Sequence, residues 1–158
     1  YCGGQHALMG FVAVAHDTAG WNAWLAQRGE SARRAETLAA AAPEGARVLP
    51  GDRDTYPTEA ETLERYDPRA GYRLFMETGC AACHRIAGTE ANGEAGPDLT
   101  YVGSRRTLGA GILPNNRGTL VGWVGDSQSI KPGNRMPSYD VLSADQLGHI
   151  AAFLEAQQ

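Results

Sequence analysis

The chain has 158 residues, a formal net charge of −4, and hydrophobic and aromatic fractions of 42% and 8%. That length suits one domain of ordinary size, the negative charge gives no support for nucleic-acid binding, and no apolar run approaches the length of a membrane span. No signal peptide is visible and the first residue is Tyr1 rather than Met, so a processed, trimmed or partial chain is expected.

Three parts are expected: residues 1–29, 30–64 and 65–158. The first opens with Cys2-Gly3-Gly4-Gln5-His6-Ala7-Leu8-Met9. A thiolate, an imidazole and a thioether are the soft ligand set that suits copper. Cys2, His6 and Met9 are too few for a dinuclear centre, and no β-barrel precedes them. Phe11-Val12-Ala13-Val14-Ala15 is apolar and partly β-branched and predicts a strand. Without the sheet that such a strand would join, residues 1 to 16 are expected to be poorly anchored. Thr18 is the expected N-cap of a helix through Trp21, Trp24 and Leu25.

The second part is expected to be a connector. Residues 31–42 are alanine-rich and helix-compatible, after which Pro43, Gly45, Pro50, Gly51 and Pro57 break any long element. The third part predicts a compact helical domain. Asp67-Pro68 combines an N-cap with proline at the first helical position, and Gly71, Leu74 and Phe75 share a face of that helix. Ser143 is the expected cap of a terminal helix with Leu147, Ile150, Ala151 and Leu154 at helical spacing. Gly71 would let the two helices approach closely, His149 is expected to be a surface or packing residue rather than a ligand, and a glycine-rich, loop-rich stretch is expected between them.

Immediately after the first of these helices comes Cys80-Ala81-Ala82-Cys83-His84. Two thiols at this spacing can each add to a vinyl group of one porphyrin, and the next residue then supplies an imidazole to the iron. A Cys-x-x-Cys pair also suits a thioredoxin-like redox site or half a zinc site. The adjoining His84 and the lack of a second such pair favour haem, which would also supply apolar volume that this alanine-rich composition lacks. Met136, within Asn134-Arg135-Met136-Pro137, offers a thioether as the second axial ligand, with a packing role as the alternative. Trp123, Arg105, Arg106 and Tyr101 are candidates to face the haem propionates, and each also suits a structural or solvated role.

These motifs resemble known families. Cys80-Ala81-Ala82-Cys83-His84, Gly96-Pro97-Asp98-Leu99 and Pro132-Gly133-Asn134-Arg135-Met136-Pro137 resemble class I cytochrome c. Cys2-Gly3-Gly4-Gln5-His6-Ala7-Leu8-Met9 with its following strand resembles the end of the dinuclear copper (CuA) motif of cytochrome c oxidase subunit II, and Trp21-Asn22-Ala23-Trp24-Leu25 resembles the tail that follows it. The resemblance implies a mainly α chain: a class I cytochrome c domain preceded by a linker and by the last strand and tail helix of a cupredoxin-like β domain. It implies that Pro97 packs beside His84 while a carbonyl of that loop receives the ring N–H. It also implies that the first copper cysteine, a further histidine, most of the barrel and two membrane helices precede Tyr1, so that CuA belongs to the full-length parent only.

The expected function is electron transfer by covalently bound haem c toward the CuA centre of a haem–copper oxidase. Oxidase subunit I and other oxidase subunits are the implied partners, with a donor cytochrome or quinol-oxidising complex supplying electrons. Oxygen reduction would occur in another subunit. The implied location is the periplasmic face of a bacterial inner membrane. A free-standing periplasmic carrier and, in another class, a haem enzyme or gas sensor with an open iron site are the alternatives.

Overall fold

The computed structural model describes residues 3–40 and 65–158. Cys2, the expected connector from residue 41 onward and its breakers Pro43, Gly45, Pro50, Gly51 and Pro57 lie outside the described residues. The described residues are mainly helical: α1 (Thr18–Ala40), α2 (Pro68–Glu77), α3 (Arg117–Ile130) and α4 (Ala144–Glu155). Short 3₁₀ helices lie at Gly3–Leu8, Cys80–Ala82 and Val102–Ser104. A small antiparallel ribbon pairs β1 (Thr107–Leu108) with β2 (Leu113–Pro114), setting Thr107 opposite Pro114 and Leu108 opposite Leu113.

Local chemistry starts α2 and α4 where the sequence predicts. Asp67 caps α2 by accepting the Arg69 backbone N–H at 2.8 Å, and Pro68 follows it at the helix start. Burial alone would raise the Asp67 pKa. The hydrogen bonds and charge of Arg69, with the charge of His149, outweigh that and hold the carboxyl below its ordinary value. At α4, Ser143 and Gln146 form a reciprocal capping box: Ser143 Oγ accepts the Gln146 N–H at 3.2 Å and Gln146 Oε1 accepts the Ser143 N–H at 2.9 Å.

The two helices cross at Gly71. A Cβ there would lie 1.9 Å from the His149 carbonyl oxygen and 2.7 Å from Phe153 Cβ, so only glycine permits this backbone approach. Phe153 is fully buried and sits edge-on to Tyr72 and Phe75, at centroid distances of 5.5 and 5.6 Å. His149 has the packing role expected of it: its Nδ1 accepts the Asp67 N–H at 2.9 Å and its ring meets Tyr66 edge-on. Ile86, Leu120, Val124, Ile150 and Leu154 complete the core.

Four expectations are corrected. Residues 9–17 adopt no regular element, so the strand over 11–15 is not formed; a strand needs a hydrogen-bonded neighbour, and none pairs with it among the described residues. The segment is nonetheless anchored, because Gly4 N–H donates to the Pro132 carbonyl at 2.9 Å and Gly10 N–H to the Ala110 carbonyl at 2.6 Å. Asp17, not Thr18, caps α1, accepting the Gly20 N–H on its carboxylate at 2.7 Å. The loop-rich stretch contains α3, started by an Asn116–Thr119 capping box and interrupted at Asp126 (φ −148°, ψ 72°). Gly118, Gly122 and Gly125 lower its intrinsic helix preference and conceal it in the sequence.

The crossing yields a paired prediction. Gly71→Ala should destabilise the domain by about 3 kcal/mol, because the new methyl meets backbone rather than a movable side chain. Gly122→Ala, with nothing within 4 Å of the new methyl, should stabilise it by about 0.5–1 kcal/mol. Denaturant unfolding of both variants checks the contrast.

Candidate haem site

A cavity of about 1860 Å³ opens beside the core, well above the roughly 300–1,000 Å³ of ordinary ligand clefts. Phe75 from α2, Leu120 and Val124 from α3, and Ile150 and Leu154 from α4 give it apolar walls. Cys80, Cys83, His84 and Met136 all line it. The structure therefore brings together the four residues that the sequence singles out for attachment and ligation, although Met136 lies 52 positions beyond His84 in the chain.

The thiols follow directly from α2. Thr78 ends that helix, with its N–H donating to the Leu74 and Met76 carbonyls, and Gly79 then turns the chain with φ +84° into the 3₁₀ turn Cys80–Ala82. Cys80 is buried and Cys83 exposed, and both are free thiols. Burial pushes the Cys80 thiol above its ordinary pKa, against an opposing contact with the Thr78 hydroxyl at 3.4 Å. Burial, followed by the neighbouring Cys80, likewise pushes Tyr139 up to about 12.

The imidazole of His84 is held from one side. Its Nδ1–H donates to the Pro97 carbonyl at 2.9 Å, which leaves Nε2 as the nitrogen available to a metal. A Cβ on Gly96 would lie 2.6 Å from the His84 ring, so glycine keeps room for it. The loop bearing Pro97 is tied back to the motif: Gly96 N–H donates to the Cys83 carbonyl at 2.7 Å and Leu99 N–H to the Arg85 carbonyl at 2.8 Å. Buried Thr100 adds a brace, donating to Asp98 Oδ1 and accepting the Ala87 N–H at 2.9 Å. Burial would raise the Asp98 pKa, but the Thr100 bonds and the charges of Arg85 and Arg105 together lower it.

Met136 is placed by a polar scaffold that sequence reasoning missed. Its N–H donates to Asn134 Oδ1 at 2.7 Å, while its carbonyl accepts from Gln128 Nε2 at 2.6 Å and Ser127 Oγ at 3.1 Å. Asn134 Nδ2 in turn donates to the carbonyls of Ser127 at 3.0 Å and Lys131 at 2.8 Å. The end of α3 thus grips the loop through side-chain amides and a hydroxyl. The pattern Ser127-Gln128 signals nothing by itself, because its partners appear only when α3 and the loop are packed together.

The remaining candidates are distributed around the same cavity. Trp123 lines it from α3, with its ring against Gly109. Arg105 lines it while its guanidinium donates to the Asp98 carbonyl at 2.5 Å. Burial lowers the Arg105 pKa, Asp98 partly offsets this, and Arg28 lowers it further. His6 and Met9 also line the cavity, whereas Cys2 lies outside the described residues. Among the described residues no cluster of three or more His, Cys, Asp or Glu is positioned to hold a metal ion. The donors present fit haem c: two free thiols, an oriented imidazole and a thioether around one apolar cleft.

Residues 68–158 match the cytochrome c family. The chain belongs to that family, and haem c is the cofactor this membership supports. Over 98% of its length it is 34% identical to cytochrome c oxidase subunit 2 of Alkalihalophilus pseudofirmus, of which it covers 36%. Cytochrome c oxidase subunit 2 of Bacillus subtilis is 32% identical over 60% of the chain, which covers 27% of that protein. The chain thus spans about a third or less of these curated relatives. Among the described residues no helix is long and apolar enough to cross a membrane.

The scaffold predicts a specific cost. Asn134→Ala should lower the stability of the holoprotein by about 2 kcal/mol, since it removes two donated bonds and orphans the Met136 N–H. Asn134→Asp, which keeps the acceptor alone, should recover part of that loss in a chemical denaturation series.

Proposed function

We propose that residues 65–158 form the haem c electron-transfer domain of a cytochrome c oxidase subunit 2, with residues 30–64 as its linker and residues 1–29 as the end of the CuA domain. The observation that carries this is the convergence of Cys80, Cys83, His84 and Met136 on one apolar cleft. The alignment over 98% of the chain with an oxidase subunit 2, including the N-terminal segment, supports the wider assignment.

When bound, haem c supplies reversible one-electron chemistry between ferric and ferrous iron. Cys80 and Cys83 would form the thioether anchors by adding their thiols to the two vinyl groups. His84 presents Nε2 to the iron, and its donation to the Pro97 carbonyl fixes the tautomer and raises the basicity of the ring. Met136 offers the softer ligand, which favours the ferrous state. Leu120, Val124, Ile150 and Leu154 exclude water from the cleft. Arg105 and Trp123 stand at its rim as partners for the propionates. Were His84 and Met136 both to hold the iron, no coordination site would remain for a substrate, and the domain would pass electrons only.

Electrons would enter from a donor cytochrome or quinol-oxidising complex and leave toward the copper centre. Cys2, His6 and Met9 would contribute to that centre, as a thiolate, an imidazole and a thioether suited to copper. Subunit I and other oxidase subunits would be the structural partners, with oxygen reduced outside this chain. Covalent haem attachment needs an export pathway, which supports a location on the periplasmic face of the inner membrane.

Redox titration tests the axial pair. Met136→His should keep a six-coordinate haem while lowering the midpoint potential by several multiples of about 59 mV, each corresponding to about 1.4 kcal/mol for one electron. An unchanged potential would remove Met136 from the iron. Attachment has its own check: haem should stay with wild-type polypeptide through acid–organic extraction, and Cys83→Ala should yield far less mature protein.

A further inference from the structure

Helix α1 turns one stripe inward. Gly20, Trp24, Arg28, Ala35 and Ala39 are its buried or half-buried positions at helical spacing, while the described positions between them are exposed. Arg28 makes the most specific contact of this stripe. Its guanidinium lies 4.8 Å from the Trp24 ring centroid and 4.2 Å from that of Tyr101, so the cation contacts two aromatic faces. Arg28 Nη1 donates to Ser104 Oγ at 3.0 Å, and the Arg28 carbonyl accepts the Tyr101 hydroxyl at 3.2 Å. Tyr101 is the N-cap and Ser104 the last residue of the 3₁₀ turn that follows the Pro97 loop. A planar guanidinium suits stacking on aromatic faces better than a lysine ammonium does.

Two backbone anchors hold the other end of the segment. Gly4 donates to Pro132, at the start of the loop that carries Met136, and Gly10 donates to Ala110. Gly111 permits the second approach, since a Cβ there would lie 3.1 Å from Gly10 Cα. Met9, Trp21 and Trp24 of this segment line the cavity, with Met9 and Trp21 about half exposed.

We infer that residues 4–28 form an intramolecular strap across the mouth of the haem cleft, and that Arg28 is the positioning residue that clamps it shut. The clamp holds the segment bearing His6 and Met9 against the cleft and keeps water from its edge. Its meaning for electron transfer rests on the function proposed above; the clamp itself rests on the contacts of Arg28.

Hydrogen exchange and redox titration of the holoprotein test this together. In Arg28→Ala, amides of residues 18–30 should exchange about tenfold faster, in keeping with the loss of two cation–π contacts. The midpoint potential should fall, because water reaching the cleft favours the more highly charged ferric state. Arg28→Lys retains the charge near Arg105 but loses the flat stack, and should show nearly the same acceleration and the same direction of shift. Tyr101→Leu, which removes the second ring and the hydroxyl that donates to the Arg28 carbonyl, should also accelerate exchange. Unaltered exchange in Arg28→Ala would overturn the strap. A potential that falls in Arg28→Ala but not in Arg28→Lys, with exchange unaltered in both, would leave Arg28 acting by charge alone and would also overturn it. A protein without haem absorption would refute the proposed function, while the exchange measurement would still decide the strap.

Discussion

The close crossing of α2 and α4 at Gly71 is the constraint on which the cleft depends. With the His149 carbonyl where a side chain would otherwise stand, the helices meet backbone to backbone and bury Phe75 and Phe153 together. That contact has two consequences for the site. It fixes the end of α2, from which Cys80 emerges within three residues of Glu77, and it turns Ile150 and Leu154 of α4 toward the cavity. The attachment motif and the rear wall are therefore set by one packing event. Asp67 joins them from the other end, because it caps α2 with its side chain and donates its N–H to His149.

Around this rigid pair the rest of the cleft is built from loops, and loops must satisfy their polar groups one by one. On the His84 side, Gly96 and Leu99 return their N–H groups to the motif while Thr100 braces Asp98. On the Met136 side, Ser127, Gln128 and Asn134 take that role. The two proposed iron ligands thus sit on separate polar scaffolds that line one cavity with apolar walls. Such an arrangement can hold a flat, hydrophobic group while keeping the donor atoms oriented, which is what low reorganisation in one-electron transfer requires.

Much of this was legible in the sequence because the signals are short and local. Asp67-Pro68, Ser143 with Gln146, and Cys80-Ala81-Ala82-Cys83-His84 each carry their meaning within a few residues. The close approach at Gly71 was also legible, since a glycine on an otherwise apolar helix face asks for a reason. What escaped was α3, whose glycines conceal its helical preference, and the scaffold around Met136, whose partners meet only in three dimensions. The N-terminal segment misled in the opposite direction. Phe11-Val12-Ala13-Val14-Ala15 has strand composition, but composition cannot supply the neighbour that a strand needs, and the segment lies instead across the cleft mouth held by Gly4 and Gly10. Much of its apolar surface is open: Phe11 is 92% exposed.

The central claim is that this chain presents iron with two protein ligands and passes electrons without binding a substrate. The absorption spectrum of the purified ferric holoprotein, followed by reduction under carbon monoxide, tests it most directly. The account predicts a weak thioether-to-iron band at the red end of the ferric spectrum and a ferrous spectrum that carbon monoxide leaves unchanged. Absence of that band, together with ready formation of a carbon monoxide complex by the wild-type protein, would contradict it and place an open iron site in the cleft.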